Sequence, residues 1–245
     1  MTDQMAMLLT RPAAQAARFA DAARARLGRD LCILVSPVLE ILDAPGAARL
    51  AVPDRLAGVG ALAFTSENGV RTFARMSARR DLPAYCVGAR TAAAARAAGL
   101  RAVEGPGDAA GLAPMIARQA RLQGLGTVLH LRGAHAAADL AAVLRDLGQP
   151  AEDLVIYDQC ERPLSEAARV LLASPGIVLL PLFSARSARL VLPHLSHAQA
   201  ELRIAAISPA VAYAARVQRC ARMEIAVRPD AEAMLDVLAG LAGSR

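Results

Sequence analysis

Lysine and tryptophan are missing from this 245-residue chain, and aromatic residues make up only 3% of it. With three Tyr and four Phe, aromatic stacking cannot build the core, so Ala, Leu, Val and Ile must fill it. Side chains that small favour close packing of helices on a sheet. Scarce aromatics also leave little to stack on bases, which counts against nucleic-acid binding. No C-x-x-C spacing joins Cys32, Cys86, Cys160 and Cys220, so neither a zinc site nor a disulfide framework is indicated. Cys32 and Cys86 fall in strand-like runs and are expected to act as small buried apolar residues. A reducing cytosol is the simplest home for them. No apolar run approaches the length of a membrane span, and Met1-Thr2-Asp3-Gln4 does not read as the start of a secretion signal.

What is present is arginine. All 28 basic residues are Arg, against 22 acidic ones, for a formal charge of +6. They are spread along the chain rather than massed in a block. Such a surface attracts anions, and a guanidinium forms paired hydrogen bonds with carboxylate or phosphate. A small polyanion fits this pattern better than a nucleic acid.

Short apolar runs alternate with Ala-rich helical segments. The runs predict strands at Ala6–Thr10, Leu31–Val35, Ala61–Thr65, Ala84–Val87, Leu100–Val103, Thr127–Arg132, Asp153–Tyr157, Ile177–Phe183, Ile204–Ile207 and Met223–Val227. The segments between them predict helices at Pro12–Leu27, Glu67–Met76, Arg90–Ala98, Ala109–Arg121, Ala134–Leu147, Leu164–Ala173, Arg186–Leu192, Pro209–Val217 and Asp230–Leu241. Alternation of this kind argues for parallel sheets covered on both faces. The pattern also repeats. Gly28 and Gly148, both suited to ending a helix, are 120 residues apart; Ser66 and Ser184 are 118 apart, and Gly88 and Ser208 are 120 apart. A near-constant offset indicates a tandem duplication of one α/β unit.

Thr65-Ser66-Glu67-Asn68-Gly69-Val70 is the most telling stretch. A buried strand delivers small polar residues to a helix start, where free N–H groups and the positive dipole end can receive an anion. Read alone, Thr65 or Ser66 is a helix cap. Ser184, Gly88 and Ser208 stand at similar turns. Two proline-bearing extended stretches, Ser36–Glu40 and Tyr157–Pro163, read as linkers, and two lobes facing each other across them would form a cleft.

In order and spacing these residues resemble uroporphyrinogen-III synthase over nearly the whole chain. The resemblance is carried by Thr10-Arg11-Pro12, Phe64-Thr65-Ser66 with Asn68-Gly69-Val70, Val87-Gly88 with Thr91-Ala92, Gly107-Asp108 with Gly111-Leu112, Leu131-Arg132-Gly133 and Val155-Ile156-Tyr157. It implies two similar Rossmann-like or flavodoxin-like parallel-sheet domains with a cleft between them. One is discontinuous, residues 1–36 plus 161–245; the other is residues 42–154; the linkers are 37–41 and 155–160. It also implies a cofactor-free, cytoplasmic enzyme. That enzyme closes hydroxymethylbilane with inversion of ring D and loss of water, by way of a spirocyclic intermediate. Neither membrane nor nucleic acid is a partner. A monomer is expected, with substrate handed over transiently from the preceding deaminase.

Tyr157 is the residue the resemblance assigns to protonating the leaving hydroxyl. Thr10, Arg11, Thr65, Ser66, Asn68, Gly88, Thr91, Arg132, Ser184 and Ser208 are the expected substrate contacts. Thr65 and Ser66 read as positioning groups rather than nucleophiles, since no His lies near them in sequence to activate them. Ser208-Pro209-Ala210-Val211 departs from the family's usual Gly-Pro-Thr-Thr and lacks two hydroxyls. That departure keeps open an alternative, a non-catalytic two-lobed module binding an anionic metabolite. His130 reads as a satisfied core histidine, and His194 and His197 lack a metal-ligand pattern, so no metal is expected. Gly105-Pro106-Gly107 has the wrong spacing for a dinucleotide loop and reads as a turn capped by Asp108.

Overall fold

A computed structural model describes residues 5–135, 139–216 and 220–243. Met1–Gln4, and with them the sequence reading of the first four residues, lie outside that range. In chain order the first elements are β1 (Met5–Leu9), α1 (Ala13–Leu27), β2 (Cys32–Val35), β3 (Leu39–Asp43) and α2 (Pro45–Arg49). Next come β4 (Val59–Phe64), α3 (Glu67–Met76), β5 (Pro83–Cys86), α4 (Ala89–Ala97), β6 (Arg101–Glu104) and α5 (Ala109–Gln123). Then follow β7 (Thr127–Gly133), α6 (Leu140–Asp146), β8 (Ala151–Glu161), α7 (Glu166–Ala173), β9 (Ile177–Leu182) and α8 (Ala185–Leu195). The last are β10 (Glu201–Ala206), α9 (Pro209–Ala214), β11 (Cys220–Ile225) and α10 (Ala231–Gly243).

The chain divides into two compact units. Unit 1 holds the chain up to Glu40 and from Cys160 onward; unit 2 holds Ile41–Gln159. Unit 1 carries a five-stranded sheet in the order β11-β10-β9-β1-β2, and unit 2 a six-stranded sheet in the order β3-β8-β7-β4-β5-β6. The strand pairs joining β9 to β1 and β10, and β4 to β5 and β7, are parallel. Matching β1, β2, β9, β10 and β11 with β7, β8, β4, β5 and β6 makes the two orders identical, once β3 is set aside. The repeat offset in the sequence thus corresponds to one sheet topology built twice.

Each sheet is buried on both faces. In unit 1, Leu8, Leu180 and Ile204 pack under α7, α8 and α9, whereas Met7, Leu9 and Leu179 pack under α1 and α10. In unit 2, Leu62, Phe64 and Leu131 pack with Phe73 of α3, while Ala61, Ala63 and Val128 pack with Ile116 of α5 and Leu144 of α6. The alternation follows from the two-residue period of a strand. Alanines such as Ala16, Ala20, Ala92 and Ala95 lie at these helix–sheet contacts, which is how a chain poor in aromatics closes its core.

Three readings of the sequence are corrected. The two proline-bearing stretches carry the crossings between the units, at 40/41 and 159/160, and are paired strands rather than unpaired linkers. Residues 39–43 form β3, and β8 runs on to Glu161. The two are sheet neighbours, framed by Arg162 N–H to Val38 C=O (2.9 Å) and Ala44 N–H to Ile156 C=O (3.0 Å). Pro37 precedes β3 and Pro163 follows β8, so neither removes a ladder donor. The sixth helix begins at Leu140 rather than Ala134, because Asp139 caps it by accepting the Ala142 N–H at 2.9 Å; residues 136–138 lie outside the described range. Cys32 is exposed on β2, an edge strand, and only Cys86 is buried. Residue 217, read as the end of the ninth helix, lies outside the described range, and that helix runs to Ala214.

Candidate active site

In a parallel α/β sheet the ligand site lies beyond the carboxyl ends of the strands, where the strand order reverses. In unit 2 that point falls between β4 and β7; in unit 1 it falls between β9 and β1. Thr65 and Ser66 follow β4, Thr10 and Arg11 follow β1 and Ser184 follows β9, whereas Gly88 and Thr91 follow β5 and Ser208 follows β10, one strand further out.

At the end of β4, Ser66 caps α3: its Oγ accepts the Asn68 N–H at 3.1 Å. Gly69, one turn in, allows the helix to start against β7, since a Cβ there would stand 2.8 Å from the Leu131 carbonyl oxygen. Glu67 is nearly buried and is held by Arg90 (2.9 Å) at the start of α4 and by Arg71 (3.4 Å). The negative charge suits the first turn of α3. Gly88 caps α4 with extended backbone, and Thr91 is buried in that helix's first turn. Asp108 caps α5 by accepting the Gly111 N–H at 2.7 Å, as the turn reading of that loop requires.

Tyr157 lies in β8, 5% exposed. Its ring is seated over Gly133, the register partner in β7: a Cβ on Gly133 would lie 2.6–2.7 Å from ring carbons and 3.0 Å from the hydroxyl oxygen. Burial raises the phenol above its ordinary value, and a hydrogen bond from the Ser66 side chain pulls the other way. Ser66 Oγ accepts from the Asn68 backbone and stands close enough to the Tyr157 phenol to act on it.

Thr65, adjacent in sequence, belongs to the opposite face of the sheet. Its Oγ1 is 3.2 Å from His130 Nε2, and His130 Nδ1 is 2.7 Å from Asp153 Oδ1. Arg132 Nε stands 3.4 Å from Asp153 Oδ2. Burial alone would raise Asp153, but the hydrogen bond from His130, with the charge of Arg132 beside it, brings its carboxyl below the usual carboxylate value. His130 is a satisfied core residue, as its setting in an apolar strand indicated. Strand pairing brings a His and an acid to Thr65 from 65 and 88 residues away, which spacing along the chain does not reveal.

In unit 1, Thr10 is buried at the end of β1, where its carbonyl accepts the Val38 N–H at 3.1 Å. Arg11 lies over the Phe183 ring, 3.8 Å from its centroid, with a hydrogen bond to Gln15 Oε1 at 3.3 Å. Ser184 caps α8 through the Ser187 N–H (3.1 Å), and Ser208 caps α9 through the Val211 N–H (3.4 Å). Among the described residues, no group of three or more His, Cys, Asp or Glu could hold a metal ion, and no helix is long and apolar enough to cross a membrane.

A family model described as uroporphyrinogen-III synthase HemD matches residues 22–236. The chain belongs to the uroporphyrinogen-III synthase family. The fold agrees. The uroporphyrinogen-III synthetase structure from Helicobacter pylori 26695 superposes with a TM-score of 0.65 at 17% identity, covering 97% of this chain and 99% of that one. A mutant uroporphyrinogen III synthase from the extremely thermophilic bacterium Thermus thermophilus superposes at 0.50 and 17% identity, with 97% of each chain covered. No curated protein matches the chain in sequence. Members of this family are cyclising lyases of tetrapyrrole synthesis, so the strand-end residues above are to be judged against a linear substrate that must be folded into a ring.

Proposed function

We propose that this chain closes hydroxymethylbilane to uroporphyrinogen III, with Tyr157 as the acid. The observation that carries the reading is Tyr157, buried over Gly133 at the carboxyl end of β7, in a chain of this family. The step begins as the C–O bond of the terminal hydroxymethyl group breaks. Tyr157 gives its proton to the departing oxygen, water leaves, and the pyrrole end becomes a cation. The Ser66 hydroxyl steadies the phenolate by donating to it. The cationic methylene bonds to the ring D α-carbon that already carries the neighbouring methylene, giving the spirocycle. The older bond to that methylene then breaks and ring D turns over. The freed methylene cation bonds to the unsubstituted α-carbon, whose proton the phenolate takes back as the pyrrole regains aromaticity. No cofactor enters this balance.

Carboxylates on the substrate would be held by backbone N–H groups at the turns of Ser66, Asn68, Gly88 and Thr91, and by Arg132. Thr10, Arg11, Ser184 and Ser208 would serve as contacts at the strand ends of unit 1. Holding two chain ends in reacting geometry is itself worth several kcal/mol, about 7 or more in favourable cases. Backbone donors need no particular side chain, so the loss of two hydroxyls in Ser208–Val211 is compatible with activity. The same reading has a cytoplasmic monomer receiving its substrate by transient handover from the deaminase.

The test is an isomer-resolved product assay on freshly generated hydroxymethylbilane. Uroporphyrinogen III is expected as the main product. Type I alone, as from spontaneous closure, would defeat the reading. Tight uroporphyrinogen binding without turnover would instead favour a non-catalytic binding module.

A further inference from the structure

Thr65, His130, Asp153 and Arg132 share one face of the unit 2 sheet, the face that packs under α5 and α6. The register explains why. His130 pairs with Asp153 across β7–β8 and with Ala63 across β7–β4, and Thr65 is two residues beyond Ala63. Arg132 is two beyond His130. His130 is fully buried and flanked in sequence by the buried Leu129 and Leu131. Ser66 and Tyr157 lie on the other face, so two separate polar devices meet at the carboxyl end of β4.

The direction of each hydrogen bond follows from what each group can do. An ionised carboxylate only accepts, so His130 Nδ1 carries a hydrogen directed at Asp153 (2.7 Å). The charge of Asp153 is already balanced by Arg132, so a second positive charge on a ring with no solvent exposure would be costly. The ring is neutral on this argument, and Nε2 is a bare lone pair. Thr65, 3.2 Å away, must then donate its hydroxyl proton inward. What it offers outward is lone pairs alone.

We propose that Asp153 and His130 are positioning residues that turn the Thr65 proton inward, so that Thr65 meets the substrate as an acceptor, reading a pyrrole N–H rather than a carboxylate. The proposal rests on the cyclisation described above. It separates Thr65 from its neighbour Ser66: one turn carries both a group facing substrate N–H and a group serving the acid.

The test combines three variants with one spectroscopic measurement. Thr65→Val keeps the shape and removes the acceptor; kcat/KM for hydroxymethylbilane should fall about tenfold, the value of one hydrogen bond of ordinary strength. Thr65→Ser should restore most of it. In Asp153→Asn, Arg132 claims the amide oxygen and the amide N–H faces the ring, which forces the other imidazole tautomer and turns the Thr65 proton outward. The rate should again fall about tenfold. In the Thr65→Val background, however, Asp153→Asn should cost no further rate, whatever it does to the melting temperature. Independent, multiplying losses would overturn the proposal, as would an unchanged rate in Thr65→Val. Nitrogen-15 NMR of the imidazole in the substrate-free protein should show a hydrogen on Nδ1 and none on Nε2. A hydrogen on Nε2 overturns the relay even in a protein that makes the type III isomer. A bare Nε2 in a protein yielding only type I supports the relay and sinks the cyclisation alone.

Discussion

Strand β7 of unit 2 carries His130 where β1, its counterpart in unit 1, carries Leu9, and both side chains are fully buried. The comparison extends outward. His130 is paired in register with Asp153, and Leu9 with Val35. The residue after β4 is Thr65; the residue after β9 is Phe183. Arg132 stands against Asp153, whereas its counterpart Arg11 lies over the Phe183 ring. One strand order therefore supports an apolar trio in one unit and a hydrogen-bonded polar trio in the other. The fold itself does not require the polar version, since Leu9, Val35 and Phe183 fill the same places. A polar network built on a fully buried histidine that packing does not demand points to function.

Exchanging residues across this pair gives the largest expected effect. Leu9→His should cost unit 1 about 3 kcal/mol or more, because it removes a packed side chain and buries an imidazole among apolar neighbours. His130→Leu should cost unit 2 less, about 1–3 kcal/mol, the penalty of leaving Asp153 and Thr65 with fewer partners. Urea unfolding of both variants measures the difference. Equal costs would mean that the two sites are not contrasting environments.

The second effect is kinetic and confined to unit 2. Tyr157→Phe should lower turnover about 100-fold, within the usual range for one general acid, while the melting temperature changes little. Ser184→Ala, which removes the unit 1 counterpart of Ser66, should leave turnover much closer to the parent value. Unchanged turnover in Tyr157→Phe would remove the phenol from the chemistry, and hydroxymethylbilane, which loses water readily, would then need only to be held.

Much of the fold was legible in the sequence because its information is local. Apolar runs separated by Ala-rich segments marked ten of the strands, and the 118–120-residue offset matches the repeated sheet order. What failed was also local in cause. Pro37 and Glu40 made β3 look like a linker, although the proline stands outside the strand. Alanine's helix propensity pulled the sixth helix back to residue 134, past its true cap at Asp139. The site was legible only in part. Ser66, Gly88, Ser184 and Ser208 could be found as caps, because a cap is a feature of neighbouring residues. The grouping of Thr65, His130 and Asp153 could not, since strand register, not spacing along the chain, brings them together. The available signal was weaker: a His in the middle of an apolar strand, with an acid in the next one.

The helix caps sharpen the comparison at a scale of about 1 kcal/mol. Ser208→Ala and Ser66→Ala each delete one cap and should each lower stability by about that much. Ser66→Ala should slow turnover more than Ser208→Ala, because Ser66 acts on the Tyr157 phenol. A rate loss of similar size in Ser208→Ala would give unit 1's turn a direct part in the chemistry.

The smallest effect concerns two cysteines, which compare an interior strand with an edge strand. Cys86 lies in β5, between β4 and β6, and burial pushes its thiol up to about 12. At pH 8 the reactive thiolate is then about one part in ten thousand, and the sulfur is enclosed as well. Cys32 is exposed on β2 at the edge of the unit 1 sheet. A maleimide should therefore label Cys32 in the native protein without loss of turnover, and should reach Cys86 only as the protein unfolds in urea. Mass spectrometry of tryptic fragments separates the two sites. Native labelling of Cys86 would show that the unit 2 sheet opens between β5 and its neighbours, and the contrast between a sealed sheet centre and an accessible sheet edge would be lost.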